Sequence, residues 1–84
     1  MQLLWHKKAW EEYLEISQTN KALLKKTNSL ISSIMRNSDE CIGKHEMLKG
    51  NLKGYRSARI DKQHRLIYKV NSDSIEILQC WGHY

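Results

Sequence analysis

The sequence predicts an α+β domain in the order β-α-α-β-β-β, with two N-terminal helices packed on one face of a small, antiparallel-rich sheet. Three observations carry this expectation. Apolar residues recur at helical spacing through 7–17 and again through 23–35. From Tyr55 onward the period changes to alternation, interrupted by two polar turns. The chain has 84 residues, no proline and no repeat, which leaves room for one domain, 1–84, with a small core. A core of that size supplies about 3–5 kcal/mol, so a stabilising partner is expected.

The elements follow in order. Gln2, Leu3, Leu4 and Trp5 form a short, mostly apolar run that suits a first strand. In the first helix Ala9, Trp10, Tyr13, Leu14 and Ile16 make the apolar stripe, with Glu11, Glu12 and Glu15 outside. Thr19 and Asn20 are capping residues for a second helix. Its stripe is Leu23, Leu24, Leu30, Ile31, Ile34 and Met35, with Lys25 and Lys26 facing out. Asn37-Ser38-Asp39 breaks this helix, and Gly43 marks a loop. The strand at 55–60 puts Tyr55, Ser57 and Arg59 on one side and Arg56, Ala58 and Ile60 on the other. Residues 61–63 form a turn, and 64–70 carry Leu66, Tyr68 and Val70 on one face. Residues 71–74 are a second polar turn before a last strand at 75–81.

Loop lengths fix two registers. With a loop at 61–63, Arg59 lies opposite Arg65, and Ala58 opposite Leu66. Directly opposed arginines repel, a poor choice for stability but a good one for clamping a phosphate. With a turn at 71–74, Val70 pairs with Ile75, and Lys69 meets Glu76 as a cross-strand ion pair. The last strand's odd residues then face the core down to Trp81, and His83 would follow them. Gly82 is the residue able to turn the tail over, so the regular strand is expected to end at or before it.

Charge narrows the function. Fourteen Lys and Arg stand against nine Asp and Glu, a net +5. Within 44–69 the balance is eight positive to two negative, Glu46 and Asp61, while the remainder is close to neutral. A positive field focused on one sheet face points to nucleic acid rather than to a generic solvated surface. Cys41 and Cys80 are too few and too far apart for a disulfide-built secreted domain, and are expected to be free thiols in a reducing cytoplasm. No apolar run follows Met1 and no stretch approaches the ~20 residues of a membrane span, so neither a signal peptide nor a membrane is expected. Cys80-x-x-His83 with His45 or Cys41 matches no complete zinc pattern, so no metal or cofactor is expected.

RNA can be cleaved without a metal, because its own 2′-OH attacks the adjacent phosphate. The reaction needs a base for the 2′-OH proton, an acid for the departing 5′ oxygen, and fixed cations for the phosphorane charge. Glu46 stands almost alone among basic residues, Arg59 and Arg65 share the strand face opposite the core, and His83 follows the last strand. Tyr84 is an aromatic able to stack on a splayed base. Each has a bland alternative: a surface ion-pair partner, a solvated arginine, a frayed end. His6, His45 and His64 compete with His83, and spacing alone does not choose among them.

These residues resemble the YoeB toxins, a branch of the RelE-like bacterial mRNA interferases, over essentially the whole chain. The resemblance rests on a Leu-Trp strand end, Leu4-Trp5, and on Trp10-Glu11-Glu12-Tyr13-Leu14. It continues through Leu48-Lys49-Gly50-Asn51-Leu52-Lys53-Gly54, similar to the family's Pro-Leu-Lys-x-Asn-Leu-x-Gly. Arg59-Ile60, His64-Arg65-Leu66-Ile67-Tyr68 and His83-Tyr84 complete it. Met47 stands where the family often has proline, which leaves that loop less rigid, and Tyr55 keeps the aromatic that often follows. The resemblance implies a RelE-like microbial RNase fold with Glu46 as general base, His83 as general acid and Arg65 stabilising the transition state. It implies Lys49 and Arg59 on neighbouring phosphates and Tyr84 orienting the substrate base, with His64 a structural member of its strand. It also implies messenger RNA and the ribosomal A site as targets, an acidic cognate antitoxin of the YefM or Phd type, and a homodimer. The alternative within the same scaffold is a non-catalytic, ParE-like toxin that binds a protein such as gyrase.

Overall fold

Two periodicities become two layers. A computed structural model describes residues 2–36 and 45–80, with the backbone alone at His45 and Glu46. β1 (Gln2–Trp5) leads into α1 (Lys7–Thr19) and α2 (Lys21–Arg36). Then come β2 (His45–Met47), a short 3-10 helix (Gly50–Leu52), β3 (Arg56–Arg59), β4 (Arg65–Val70) and β5 (Ser74–Gln79). Among the described residues the strands form one five-stranded sheet, ordered β1-β5-β4-β3-β2. β1 runs parallel to β5, and every other pair is antiparallel. The order expected from the sequence holds, with β2 as an addition. Glu46, expected in a loop, belongs to this three-residue edge strand.

The core lies between the helices and one sheet face. Ile16, Leu23, Leu30 and Ile34 pack there with Ala58, Leu66, Tyr68, Ile75 and Ile77, all nearly or wholly removed from water. Fully burying one such side chain is worth about 1.5–3 kcal/mol. Asn20 caps α2 as expected, its Oδ1 accepting from Leu23 N–H at 3.0 Å. The α1 stripe is only partly used. Ala9 and Ile16 are buried, while Trp10 and Leu14 remain 44% and 41% exposed. Trp10 instead stacks on Tyr13, and both rings touch Trp5 at the end of β1. Glu12, expected outside, reaches in to accept the Cys80 N–H at 3.0 Å.

Both hairpins have the expected registers, Arg59 with Arg65 and Ala58 with Leu66, then Lys69 with Glu76 and Val70 with Ile75. Two details differ. Glu76 is held by Asn71 Nδ2 at 2.8 Å and by His6 Nε2 at 3.2 Å, while Lys69 lies 5.8 Å from the Tyr55 ring centre. Asn71 and His6 sit closer to the carboxylate than the lysine does, and they satisfy it first. The second difference concerns alternation in β5. Ile77 pairs with Tyr68, but Ile67 pairs with Gln79, so Leu78 is an extra residue on β5. This β-bulge reverses the alternation at that point. Gln79 therefore stands beside Ile67 rather than in the core, and Cys80 takes the core position. The sequence expected a reversal at Gly82, which lies outside the described residues; the bulge introduces one four residues earlier, at Leu78. The strand ends at Gln79, before Gly82 as expected. Asn37 to Asp39, Cys41 and Gly43 lie outside the described residues, as do Trp81, Gly82, His83 and Tyr84.

Candidate active site

The sheet face opposite the helices carries the candidate site, and the first hairpin sets its geometry. Asp61 closes the loop: its Oδ1 accepts from the N–H of Gln63 at 2.8 Å and of His64 at 2.7 Å. The N–H groups of Ile60 and Asp61 both reach back to the His64 carbonyl. An Asx turn of this kind holds the loop at a defined length. Partial burial pushes the Asp61 carboxyl up, but the two backbone donors, aided by the fields of His64 and Lys26, outweigh it. The carboxyl lies below its ordinary range.

That loop length is what opposes Arg59 to Arg65. The two guanidinium groups take different tethers. Arg59 is exposed, and its Nε donates to the Asp61 carbonyl at 3.3 Å. Arg65 is half-buried, and its Nη1 donates to Ser57 Oγ at 3.3 Å. The tethers pull the like charges toward opposite ends of the hairpin, which eases the repulsion inherent in the register.

The third strand of the face is β2. Its pairing sets Glu46 beside Ser57, and Ser57 is in turn beside Ile67. With Gln79 this makes one row across four strands: Glu46, Ser57, Ile67, Gln79. Ser57 and Ile67 are fully buried at its centre. Glu46 is thus adjacent to the residue that receives Arg65. Lys49 is exposed on the connection from β2 to β3, just before the 3-10 helix. Gly50 and Gly54 in that connection have φ of +70° and +94°, backbone that side-chain-bearing residues rarely adopt. They bend the lysine-bearing loop back so that Leu48 N–H can pair with the Tyr55 carbonyl.

Of the residues singled out from sequence, Arg59 and Arg65 are brought together, Glu46 is placed on the adjoining strand, and Lys49 on the adjoining loop. His83 and Tyr84 lie outside the described residues, three and four positions beyond Cys80. Ser57 and Gln79 were not singled out. Ser57 was legible as a face-mate of Arg59 in the alternation, whereas Gln79 was hidden by the bulge. Among the described residues no three His, Cys, Asp or Glu converge as a metal site, and no helix is long and apolar enough to cross a membrane.

Comparison with known proteins adds identity to this geometry. Residues 5–84 match the family described as YoeB-like toxin of bacterial type II toxin-antitoxin system. Toxin YoeB of Escherichia coli (strain K12) is 44% identical over 84 residues, covering 100% of both chains. The YoeB/ParE toxin from Agrobacterium tumefaciens superposes with a TM-score of 0.95 at 36% identity, again over 100% of both chains. A Staphylococcus aureus relative, solved as a YoeB-YefM complex, gives a TM-score of 0.91 at 45% identity, over 100% of this chain and 98% of that one. The same organism's protein, solved as a YoeB dimer, gives 0.91 at 44% identity with the same coverage. A family match across nearly the whole chain, relatives of equal length and the same fold lead to one conclusion: the chain belongs to the YoeB-like toxins of bacterial type II toxin–antitoxin systems.

Proposed function

We propose that this chain is a ribosome-dependent endoribonuclease that cuts messenger RNA in the A site and so stops translation. The observation that carries the reading is the arginine pair. Arg59 and Arg65 are opposed on the sheet face away from the helices, and Arg65 is drawn to Ser57, the strand neighbour of Glu46. A stability-driven sequence gains nothing from that pairing, whereas a phosphate binder gains two guanidinium forks.

In this mechanism Glu46 takes the proton from the 2′-OH, and the freed oxygen bonds to the adjacent phosphorus. Arg65 stabilises the charge that builds on the phosphorane. The bond from phosphorus to the 5′ oxygen breaks, and His83 supplies the proton to that leaving oxygen. The products are a 2′,3′-cyclic phosphate and a 5′-hydroxyl. Lys49 and Arg59 hold neighbouring phosphates, and Tyr84 stacks on the substrate base. The acid, the base and the cations are all side chains, so no metal or cofactor is assigned. The ribosome supplies orientation, which converts a slow encounter into a positioned reaction. These substrates place the activity in the cytoplasm. The S. aureus YoeB-YefM complex and YoeB dimer support a YefM-type antitoxin and a homodimer as this chain's partners; an acidic antitoxin segment would match the basic strands.

The test is cleavage of a defined messenger on bacterial ribosomes in the presence of a chelator, with Glu46→Gln and His83→Ala beside the wild type. Cleavage by the wild type alone, leaving a cyclic phosphate, is the expected result. An inert wild type, or variants as active as the wild type, would sink the proposal. Toxicity persisting in both variants would then favour a protein target.

A further inference from the structure

We infer that Tyr55 and Lys69 form a subsite for a nucleotide flanking the one that is cut, the ring stacking on its base and the ammonium meeting its phosphate. The inference rests on the ribonuclease reading and deepens it, extending the path of the substrate beyond the arginine pair.

Lys69 has an acid directly across the strand and turns the other way. Its cross-strand partner is Glu76 on β5. That carboxylate is held by Asn71 and His6, which lower its pKa more than the nearby charge of Lys69 does. The lysine stem instead crosses toward β3, where its Cε lies 3.9 Å from the place a Gly54 Cβ would take. Its Nζ stands 5.8 Å from the Tyr55 ring centre. A half-exposed cation over a ring gains little, so the ammonium is easily exchanged from the ring to a phosphate.

Tyr55 is built as a fixed platform. Gly54, at φ +94°, turns the chain into it. Its N–H donates to the Leu52 carbonyl and its own carbonyl accepts from Leu48 N–H, both at 3.0 Å. The ring is half-exposed at the end of the loop that carries the exposed Lys49 and Lys53. An aromatic ring among three lysines is the combination that holds single-stranded nucleic acid, the ring taking a base and the cations tracking the backbone. An acidic peptide would use the lysines but has no need of the ring.

The position suits a flanking nucleotide. Arg65, Ile67 and Lys69 alternate onto one face of β4, so the lysine lies on the same face as the arginine pair. Arg65 and Lys69 are four residues apart along the strand, about 13 Å, too far for one phosphate to touch both. Between them runs the row that joins Glu46 to Ser57 and Ile67. A strand clamped at the arginines and crossing that row reaches Tyr55 with a neighbouring base.

The test uses a short single-stranded 2′-deoxyoligonucleotide, which keeps bases and phosphates but lacks the attacking hydroxyl, so it is not cut. A 2-aminopurine base, whose fluorescence falls on stacking, is placed at each position in turn. Wild type and Tyr55→Phe should quench it at one position, and Tyr55→Leu should abolish that quench and weaken binding about tenfold, within the range of one base–aromatic stack. Lys69→Gln should reduce the log–log salt slope by about 0.7, the share of one single-strand phosphate, and Lys69→Arg should restore it. A thermal melt of each variant records folding. No quench at any position, a quench that survives Tyr55→Leu, or variants that lower the melting temperature but bind as the wild type does would overturn the subsite. Cleavage of messenger on ribosomes by the wild type is measured alongside. Quench without cleavage would keep the subsite and dispose of the ribonuclease reading, and cleavage without quench would do the reverse.

Discussion

At the scale of single residues, the candidate site depends on a turn that none of its reacting groups belong to. Asp61 fixes the loop length, loop length fixes the register, and register opposes Arg59 to Arg65. This chain of cause was legible in the sequence, because a three-residue loop admits one pairing. The tethers were not legible. Whether an arginine leans toward a serine or a carbonyl depends on rotamers, which spacing does not encode. The Asp61 turn also yields a pH dependence. Its carboxyl lies below its ordinary range in the folded chain, burial being outweighed by the two N–H donors. A group depressed on folding contributes stability at pH above its unfolded pKa, and that contribution fades as pH falls through the folded value. Glu76 is lowered in the same way, by the Asn71 amide first and by His6 next. Stability should therefore decline in acid through both groups, and Asp61→Ala should make that decline shallower while leaving the Glu76 part. Urea unfolding from neutral pH down to the carboxylate range measures it; an identical acid slope in the variant would refute the account.

At the scale of elements, β5 shows where sequence reading stops. Alternation put the odd residues of this strand in the core down to Trp81, and glycine was the one residue that advertised a reversal. The bulge at Leu78, within the described residues, leaves no compositional trace. Ile77 and Leu78 are both apolar, and an apolar pair looks the same with or without a bulge. What secures the strand end is also invisible in one dimension, since Glu12 and Cys80 are 68 positions apart. Glu12 accepts the Cys80 N–H, and the Cys80 thiol lies 3.5 Å from the Ala9 carbonyl. Burial pushes that thiol up to about 12, and the nearby Glu12 charge adds to the rise. A thiol this far from its thiolate is a poor nucleophile. Cys80 should resist thiol reagents at mildly alkaline pH until the chain unfolds, as peptide mapping of the labelled residue would show. Glu12→Ala leaves the N–H without its acceptor, a loss of about 1–2 kcal/mol, and should speed labelling of Cys80. Labelling as fast in the wild type as in denaturant would show that α1 does not guard the strand end.

At the scale of the whole molecule, the two layers divide the work. The helical layer and its side of the sheet make the core, and the other side carries the arginines. This division was legible because period and charge change together near Tyr55: helical spacing before it, alternating strands and most of the positive excess around and after it. If the open face is the RNA surface, the charge should report on it. Binding to a polyanion releases counterions, so affinity falls with salt, with a log–log slope of about 0.7 per neutralised single-strand phosphate. Lys49 and Lys53 flank the connection next to the site, and both are exposed. Lys21 and Lys25 are equally exposed on α2, in the other layer. Replacing Lys49 and Lys53 with Gln should weaken binding of a short RNA whose reacting 2′-hydroxyl has been removed. The salt slope should shrink by about 0.7 for each phosphate no longer neutralised. The same change at Lys21 and Lys25 alters net charge equally but should leave the slope almost untouched, because those side chains are directed away from the open face. Titrating both variants across salt concentrations separates a local footprint from a general positive field. Equal slopes in the two variants would mean that net charge, and not the sheet face, draws the RNA.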